Sequence, residues 1–264
     1  MEAFAISDAG RCREMNQDAV FAQCTSIGNL RNLFIVADGM GGHQAGDYAS
    51  SFSVARLQEL IQSEQTKAPS ELLEWAFQIV NYEVFEKGYH EMELYGMGTT
   101  LVACTINENC MMTVANVGDS RLYVYNEKSG IRQITKDHSY VEELVRKGQI
   151  TRDCELYRQS KNVITRAIGA EEDVKTDIFQ LELDPDDMVL LCSDGLSNMV
   201  SDPLMSLTLS ISDDIESKAR RLVQLANDAG GADNISVVLI QMESADSKSE
   251  DKPNDLSEEE KRGL

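Results

Sequence analysis

Seven short runs rich in β-forming residues dominate the middle and end of the chain: "TTLVACTI", "CMMTVANVG", "RLYVYN", "IRQIT", "KTDIFQLEL", "DMVLLCS" and "ISVVLIQM". Several are joined by links as tight as "NEN" and "NEKSG". Links of two to five residues cannot carry a parallel crossover, so consecutive strands must pair antiparallel. Amphipathic helices accompany them. In "SELLEWAFQIVNYEVFEKG", Leu72, Leu73, Ala76, Phe77, Val80 and Val84 share one face behind a Pro69-Ser70 start signal. A preceding helix over 44–63 carries Tyr48, Phe52, Ala55 and Leu60 at similar intervals, and the two read as an antiparallel pair. A third helix is expected over 215–229, with Ala219, Leu222, Val223 and Ala226 on one side. Many strands with grouped helices predict an α+β fold: a four-layer α/β/β/α sandwich, two antiparallel sheets flanked by helix pairs.

The folded domain is expected over 1–243. A polar excursion over 137–169 interrupts the strand pattern, as a flap-like insertion beside a site would. The last stretch, 244–264, is Ser, Asp, Glu and Lys with little apolar content, and reads as an acidic disordered tail.

Four apolar strands meet an aspartate at one end. "FIVADGMGG" delivers Asp38, "TVANVGDSR" Asp119, "MVLLCSDGL" Asp194, and "GGADNISVV" places Asp233 just before a strand. Each lies beside Gly, Ser or Asn, and any one of them alone is an ordinary turn residue. Four at the rim of one sandwich are not, because carboxylates crowded in a low-dielectric cleft repel each other unless a cation neutralises them. With only His43, His90 and His138 in the chain, an imidazole cage is ruled out, and an all-oxygen set favours hard ions such as magnesium or manganese. Two such ions about 3.5 to 4 Å apart can bridge a hydroxide that attacks phosphorus in line. Residue chemistry therefore points to metal-dependent phosphoester hydrolysis, with the metal site at one end of the sandwich.

Other chemistries are missing. None of the six cysteines has an arginine six residues on, as a thiolate phosphatase requires, and none forms C-x-x-C. "DPDDM" at Asp184 fails the aspartyl-phosphate pattern at Met188, and neither a P-loop nor G-x-S-x-G occurs. A formal charge of −21, only partly due to the eight acids and four bases from Glu243 onward, would repel nucleic acid. No membrane span or signal peptide is read, so a cytoplasmic location is expected.

In order along the chain, "DAGRCREMNQDA", "VADGMGGHQAGDYAS", "GMGTTLVA", "ANVGDSRLYV", "DHSYVEELVRKGQIT", "NVITRAIG", "LLCSDGLSNMV" and "GGADNISVVL" resemble the bacterial branch of the metal-dependent (PPM, type-2C) serine/threonine protein phosphatases. The resemblance implies two or three magnesium or manganese ions. Asp38 would bridge the two central ions, the Gly39 carbonyl would bind the first, and Asp194 and Asp233 the second. Asp18 would act through water or as an outer ligand. Asp119, with Asp194, would hold a third ion. Arg13 would grip the substrate phosphate, a task suited to a bidentate guanidinium. Some relatives carry a histidine directly after the Asp-Gly as general acid; here Met40 stands there. That leaves open His43 folded back as the acid, His43 as a helix cap, or a water in its place. Expected partners are phosphorylated proteins and a cognate serine/threonine kinase pathway, with the chain acting as a monomer. The alternative, a catalytically silent relative that binds metal or phosphoprotein, should have lost at least one ligand. None of Asp38, Asp119, Asp194 and Asp233 is missing.

Overall fold

The computed structural model describes residues 1–42 and 45–242. Both His43 and the predicted 244–264 tail lie outside the described residues.

Along the chain run β1 (Glu2–Asp8), β2 (Asp18–Gln23), β3 (Leu33–Met40), α1 (Ala45–Ser63), α2 (Pro69–His90), β4 (Gly98–Thr99), β5 (Leu101–Ile106), β6 (Met111–Val117), β7 (Arg121–Asn126) and β8 (Gly130–Gln133). They are followed by α3 (Tyr140–Arg146), α4 (Glu155–Ser160), β9 (Asp177–Glu182), β10 (Met188–Cys192), α5 (Asp194–Ser197), α6 (Asp202–Leu209), α7 (Ile215–Asp228) and β11 (Ile235–Gln241). One sheet has the order β1-β11-β10-β7-β8, the other β2-β3-β5-β6-β9 with β4 beside β3, and every pairing is antiparallel.

Why these runs form buried strands follows from their alternation. In β3, Phe34 and Val36 point between the sheets, where they meet Val189, Leu191, Val238 and Ile240 of the other sheet. Leu33, Ile35 and Ala37 point the opposite way, into a core shared with Leu57 and Ile61 of α1 and Phe77 and Val80 of α2. Across the molecule Tyr123, Leu190 and Leu239 pack in the same fashion against Met205 of α6 and Ala219 and Leu222 of α7. Both faces of each sheet are thus covered, which is why the central strands read as unbroken apolar runs. Each such Leu, Ile, Val or Phe contributes roughly 1.5 to 3 kcal/mol by leaving water. The result is the expected four-layer sandwich, with α1 and α2 on one side and α6 and α7 on the other.

The long helices begin where local chemistry allows. Pro69 opens α2, its missing N–H being one that a first turn leaves free anyway. Asp214 caps α7 by accepting from the Ser217 N–H at 2.7 Å. Residues 137–169 leave the sandwich and carry α3 and α4. The excursion is pinned by Glu142, which accepts from Arg152 Nε at 2.8 Å and from the Tyr157 hydroxyl at 2.6 Å. Its return joins the body at the bridge between Thr99 and Ile168.

Antiparallel pairing also gathers one end of alternate strands. The start of β2 lies against the end of β3, β6 turns into β7, and the end of β10 lies against the start of β11. Every aspartate singled out from the sequence stands at that end.

Candidate functional site

The register of β2 on β3 sets Asp18 directly opposite Asp38. Two like charges facing across strands destabilise a sheet, so the pairing needs a compensating cation or proton. Asp119 occupies the turn between β6 and β7, Asp194 begins α5, and Asp233 stands two residues before β11. The charges of Asp18, Asp194, Asp119 and Asp233 all act on Asp38, so the five carboxylates form one electrostatic cluster with Asp38 at its centre.

Several neutral groups hold them in place. The Asp38 N–H donates to Thr100 Oγ1 at 2.9 Å, and the same hydroxyl lies 2.7 Å from Ser120 Oγ, which fastens β3 to the turn bearing Asp119. Ser193 Oγ donates to Asp18 Oδ2 at 2.8 Å and accepts from the Ser236 N–H at 2.9 Å. Asn198, one turn along α5, donates to Asp194 Oδ2 at 2.9 Å. Gly39 is required by crowding: a Cβ there would collide with the carbonyls of Gly46 and Gln17, so only glycine lets the start of α1 close over the cluster.

Gly118 has φ +109°, and a Cβ on it would come within 2.6 Å of the Thr100 side chain. Its N–H donates to His138 Nδ1 at 3.0 Å, and its carbonyl accepts from the His138 N–H at 3.0 Å. His138 is buried, and its Nε2 lies 3.2 Å from Asp177 Oδ2. Burial, with Arg166 nearby, pushes its pKa down and keeps the ring neutral. Both ring nitrogens are committed, so this histidine positions the Asp119 turn and is not available to a substrate.

Arg13 sits at the rim, half exposed, with Nη2 donating to Asp233 Oδ2 at 2.9 Å. Asn234 fixes the loop that carries it, donating to the carbonyls of Ala9 at 3.0 Å and Met15 at 2.9 Å and accepting from the Gln17 N–H at 2.9 Å.

The electrostatics are those of an anion-crowded cleft. Burial, reinforced by Asp194 and Asp233, pushes Asp18 up to about 7 against the opposing hydrogen bonds of Ser236 and Ser193. Asp119 is pushed up to about 8 by burial and by Asp194 and Asp137, and Asp194 to about 6 by burial and Asp233. Asp38 is driven well above the carboxylate range by burial and then by the other four acids.

Do these residues suit divalent cations? Asp18 Oδ1, Asp119 Oδ1 and Asp194 Oδ1 are buried acceptors without a hydrogen-bond partner among the described residues. Such orphans are rare because they forfeit their hydration without return, and a hard cation is the ligand that restores it. Among the described residues no three acidic, histidine or cysteine groups converge into a complete cage. Magnesium needs none, since it keeps several waters and takes only one or two carboxylates per ion. The donor set is all oxygen, anionic and partly dry, and it fits.

Thr100, Ser120, His138, Ser193, Asn198 and Asn234 were not legible as site residues. They lie within "GTT", "GDS", "DHS", "CSDGLSN" and "ADN", but nothing local tells which of these side chains would steady a carboxylate or its loop.

The family profile for Protein phosphatase 2C matches residues 11–239. The serine/threonine phosphatase stp of Listeria monocytogenes is 39% identical over 247 residues, covering 91% of this chain and 96% of that protein. The structure of the serine/threonine phosphatase Stp1 of Staphylococcus aureus matches with a TM-score of 0.84 at 34% identity, covering 92% of this chain and 95% of its own. A structure of the catalytic domain of the phosphatase PstP in complex with 2 manganese ions matches with a TM-score of 0.77 at 35% identity, over 90% of this chain and 96% of its own.

Proposed function

Because the chain belongs to the protein phosphatase 2C family, it is a divalent-metal-dependent serine/threonine protein phosphatase, and we propose that its carboxylate cluster is the hydrolytic centre. The observation that carries the assignment of the site is the convergence of four acids on Asp38, three of them with a buried oxygen that has no hydrogen-bond partner among the described residues. In this reading Asp38, the Gly39 carbonyl, Asp194 and Asp233 would hold two central ions, Asp18 would be an outer ligand, and Asp119 with Asp194 would hold a third. The bound ions, magnesium or manganese, supply neutralising charge and activate water as a nucleophile.

The protein's own groups do the rest. Arg13 exchanges its single bond to Asp233 for the phosphate oxygens, which its fork of five donors can hold bidentately. Thr100 and Ser193 hold Asp38 and Asp18 in register while the cluster changes charge. The leaving oxygen needs a proton, and Met40 cannot give one. His138 is committed to Gly118, and His90 is exposed on α2 beside Glu86. That leaves His43 or a water for the task. The excursion over 137–169 acts as a flap next to the site. No helix among the described residues is long and apolar enough to cross a membrane. We place the chain in the cytoplasm, as a monomer that opposes a serine/threonine kinase.

The test is phosphate release from a phosphothreonine peptide after exhaustive alkylation of exposed thiols. Cys12 and Cys24 are exposed while Cys104 and Cys192 are buried, and the buried pair are held as neutral thiols by desolvation. Turnover should survive alkylation within about twofold, since no thiolate attacks phosphorus. Abolition of turnover by alkylation alone would refute the mechanism.

A further inference from the structure

A cavity of about 930 Å³ opens between α2 and the segment 164–176, and Met40 forms part of its wall. Met40 is two residues beyond Asp38, so the cavity begins within about 7 Å of chain from the centre of the carboxylate cluster. None of the roles assigned above uses it.

Its lining is one-sided in charge. Glu74 of α2 and Glu171, Glu172 and Asp173 of the facing loop line it, all exposed, and none makes an ion pair among the described residues. The two cations present do not balance them. Arg166 is spent on Asp177 Oδ1 at 2.9 Å and the Lys175 carbonyl at 3.0 Å, which leaves the Lys175 ammonium against four acids. A second feature points to a ligand independently. Thr176 lines the same cavity, is only 6% exposed, and its Oγ1 has no hydrogen-bond partner among the described residues. A buried hydroxyl left unpaired costs free energy that a peptide N–H or C=O can restore. The cavity also presents Tyr82, 49% exposed, a ring face on which a guanidinium or ammonium can stack. The loop itself is not loose: Asn81 donates to the carbonyls of Glu171 and Glu172 at 3.0 and 2.9 Å and accepts from the Gly169 N–H at 2.8 Å.

We propose that this cavity is a docking subsite for the polypeptide flanking the phosphorylated residue, and that it selects substrates carrying lysine or arginine close to that residue. The inference rests on the phosphatase reading of the neighbouring carboxylate cluster. The phosphoryl group enters at Arg13 and the cluster, the adjoining chain runs past Met40, and its basic side chains meet Glu74, Glu171, Glu172 and Asp173.

The experiment uses the full chain with manganese and three substrates. Two are phosphothreonine peptides identical except that one bears Lys and Arg near the phosphoresidue where the other bears Gln. The third, p-nitrophenyl phosphate, is too small to reach the cavity. At low salt kcat/KM should favour the basic peptide by about 10-fold, and the preference should shrink as salt is added. The variant Glu171→Gln/Glu172→Gln/Asp173→Asn should bring the two peptides within about twofold of each other and leave p-nitrophenyl phosphate unchanged. A control with the same change in charge, Glu182→Gln/Asp184→Asn/Asp186→Asn at and just beyond the far end of β9, should keep the preference. Equal kcat/KM for the two peptides in the unaltered protein, or an equal loss of preference in the control, would overturn the subsite. Binding of the unphosphorylated peptides, read by fluorescence anisotropy, follows docking without turnover. If none of the three substrates is hydrolysed while the basic peptide still binds about 10-fold tighter, and only the 171–173 variant loses this, the phosphatase reading fails and the subsite stands.

Discussion

Asp38→Asn lowers kcat/KM on a phosphothreonine peptide by at least about 10³-fold, more than the loss of a single oxyanion donor in other hydrolases, and it makes the metal-free protein more stable. Both effects come from one geometry. Asp38 is the residue on which all four other acids act, so in the metal-free protein its ionised form is opposed by burial and by every other acid of the cluster. Asn keeps the side chain's shape and removes the charge. What relaxes the metal-free protein also removes the anion at the centre of the cation site. The linkage has a definite sign. A carboxyl whose folded pKa is raised contributes stability that is fully present below its unfolded pKa, about 4, and is lost as pH rises through the folded value. With Asp194 at about 6, Asp18 at about 7 and Asp119 at about 8, the metal-free Tm should fall between about pH 5 and pH 8. His138, whose pKa is lowered, works in the opposite direction but is one group against four. Thermal melts in chelator should show this slope in the unaltered protein and a shallower one in the Asn variant. A variant that kept turnover within 10-fold, or whose metal-free form was less stable than the parent at pH 8, would remove Asp38 from the centre of the site.

Arg13→Ala lowers kcat/KM by about 10- to 100-fold, since a charge-assisted hydrogen bond contributes roughly 1.5 to 3 kcal/mol. The same substitution hardly touches the fold. Arg13 is half exposed and its pair with Asp233 is open to water, and such pairs contribute about 0 to 1 kcal/mol. Releasing Asp233 leaves that carboxylate free for a cation, so the manganese concentration giving half-maximal turnover should not rise. Arg13→Lys keeps the charge without the fork and should recover only part of the loss. If the contact tightens during attack, kcat falls as well as KM rising. Steady-state kinetics of the three proteins decide the matter: unaltered parameters in the Ala variant would make Arg13 a solvated loop charge.

The strands and helices that bury apolar stripes were legible because each is a local pattern. Helix α2 announces itself through Pro69 and six apolar positions on one face, and β5, β6, β7, β10 and β11 through apolar runs covered on both sides. Harder to read were β1 and β2. Both are edge strands, and beyond their first residues "EAFAISD" and "DAVFAQ" are half-buried, with small alanines where a central strand would place larger groups. Helices α4 and α5, of six and four residues, are too short to establish a period. Helix α6 carried its start signal in Ser201, Asp202 and Pro203, but its eight residues span barely two turns. At the site, the acids could be found because an Asp beside Gly, Ser or Asn at a strand end repeats four times. The groups that steady them could not, because, Asn198 apart, each is a lone Thr, Ser, Asn or His whose partner comes from a segment distant in sequence. The acidic cavity was equally hidden. Glu171, Glu172 and Asp173 look like a solvated loop until α2, some ninety residues earlier, is folded against them.

The most direct test of the metal-centred cluster is phosphate release as a function of manganese, after the protein has been stripped with chelator and its metal content measured. Turnover should vanish in excess chelator and return as manganese is added, with protons released on binding because the raised carboxyls must ionise to take the ion. Undiminished turnover in excess chelator, with no metal detectable on the protein, would contradict it.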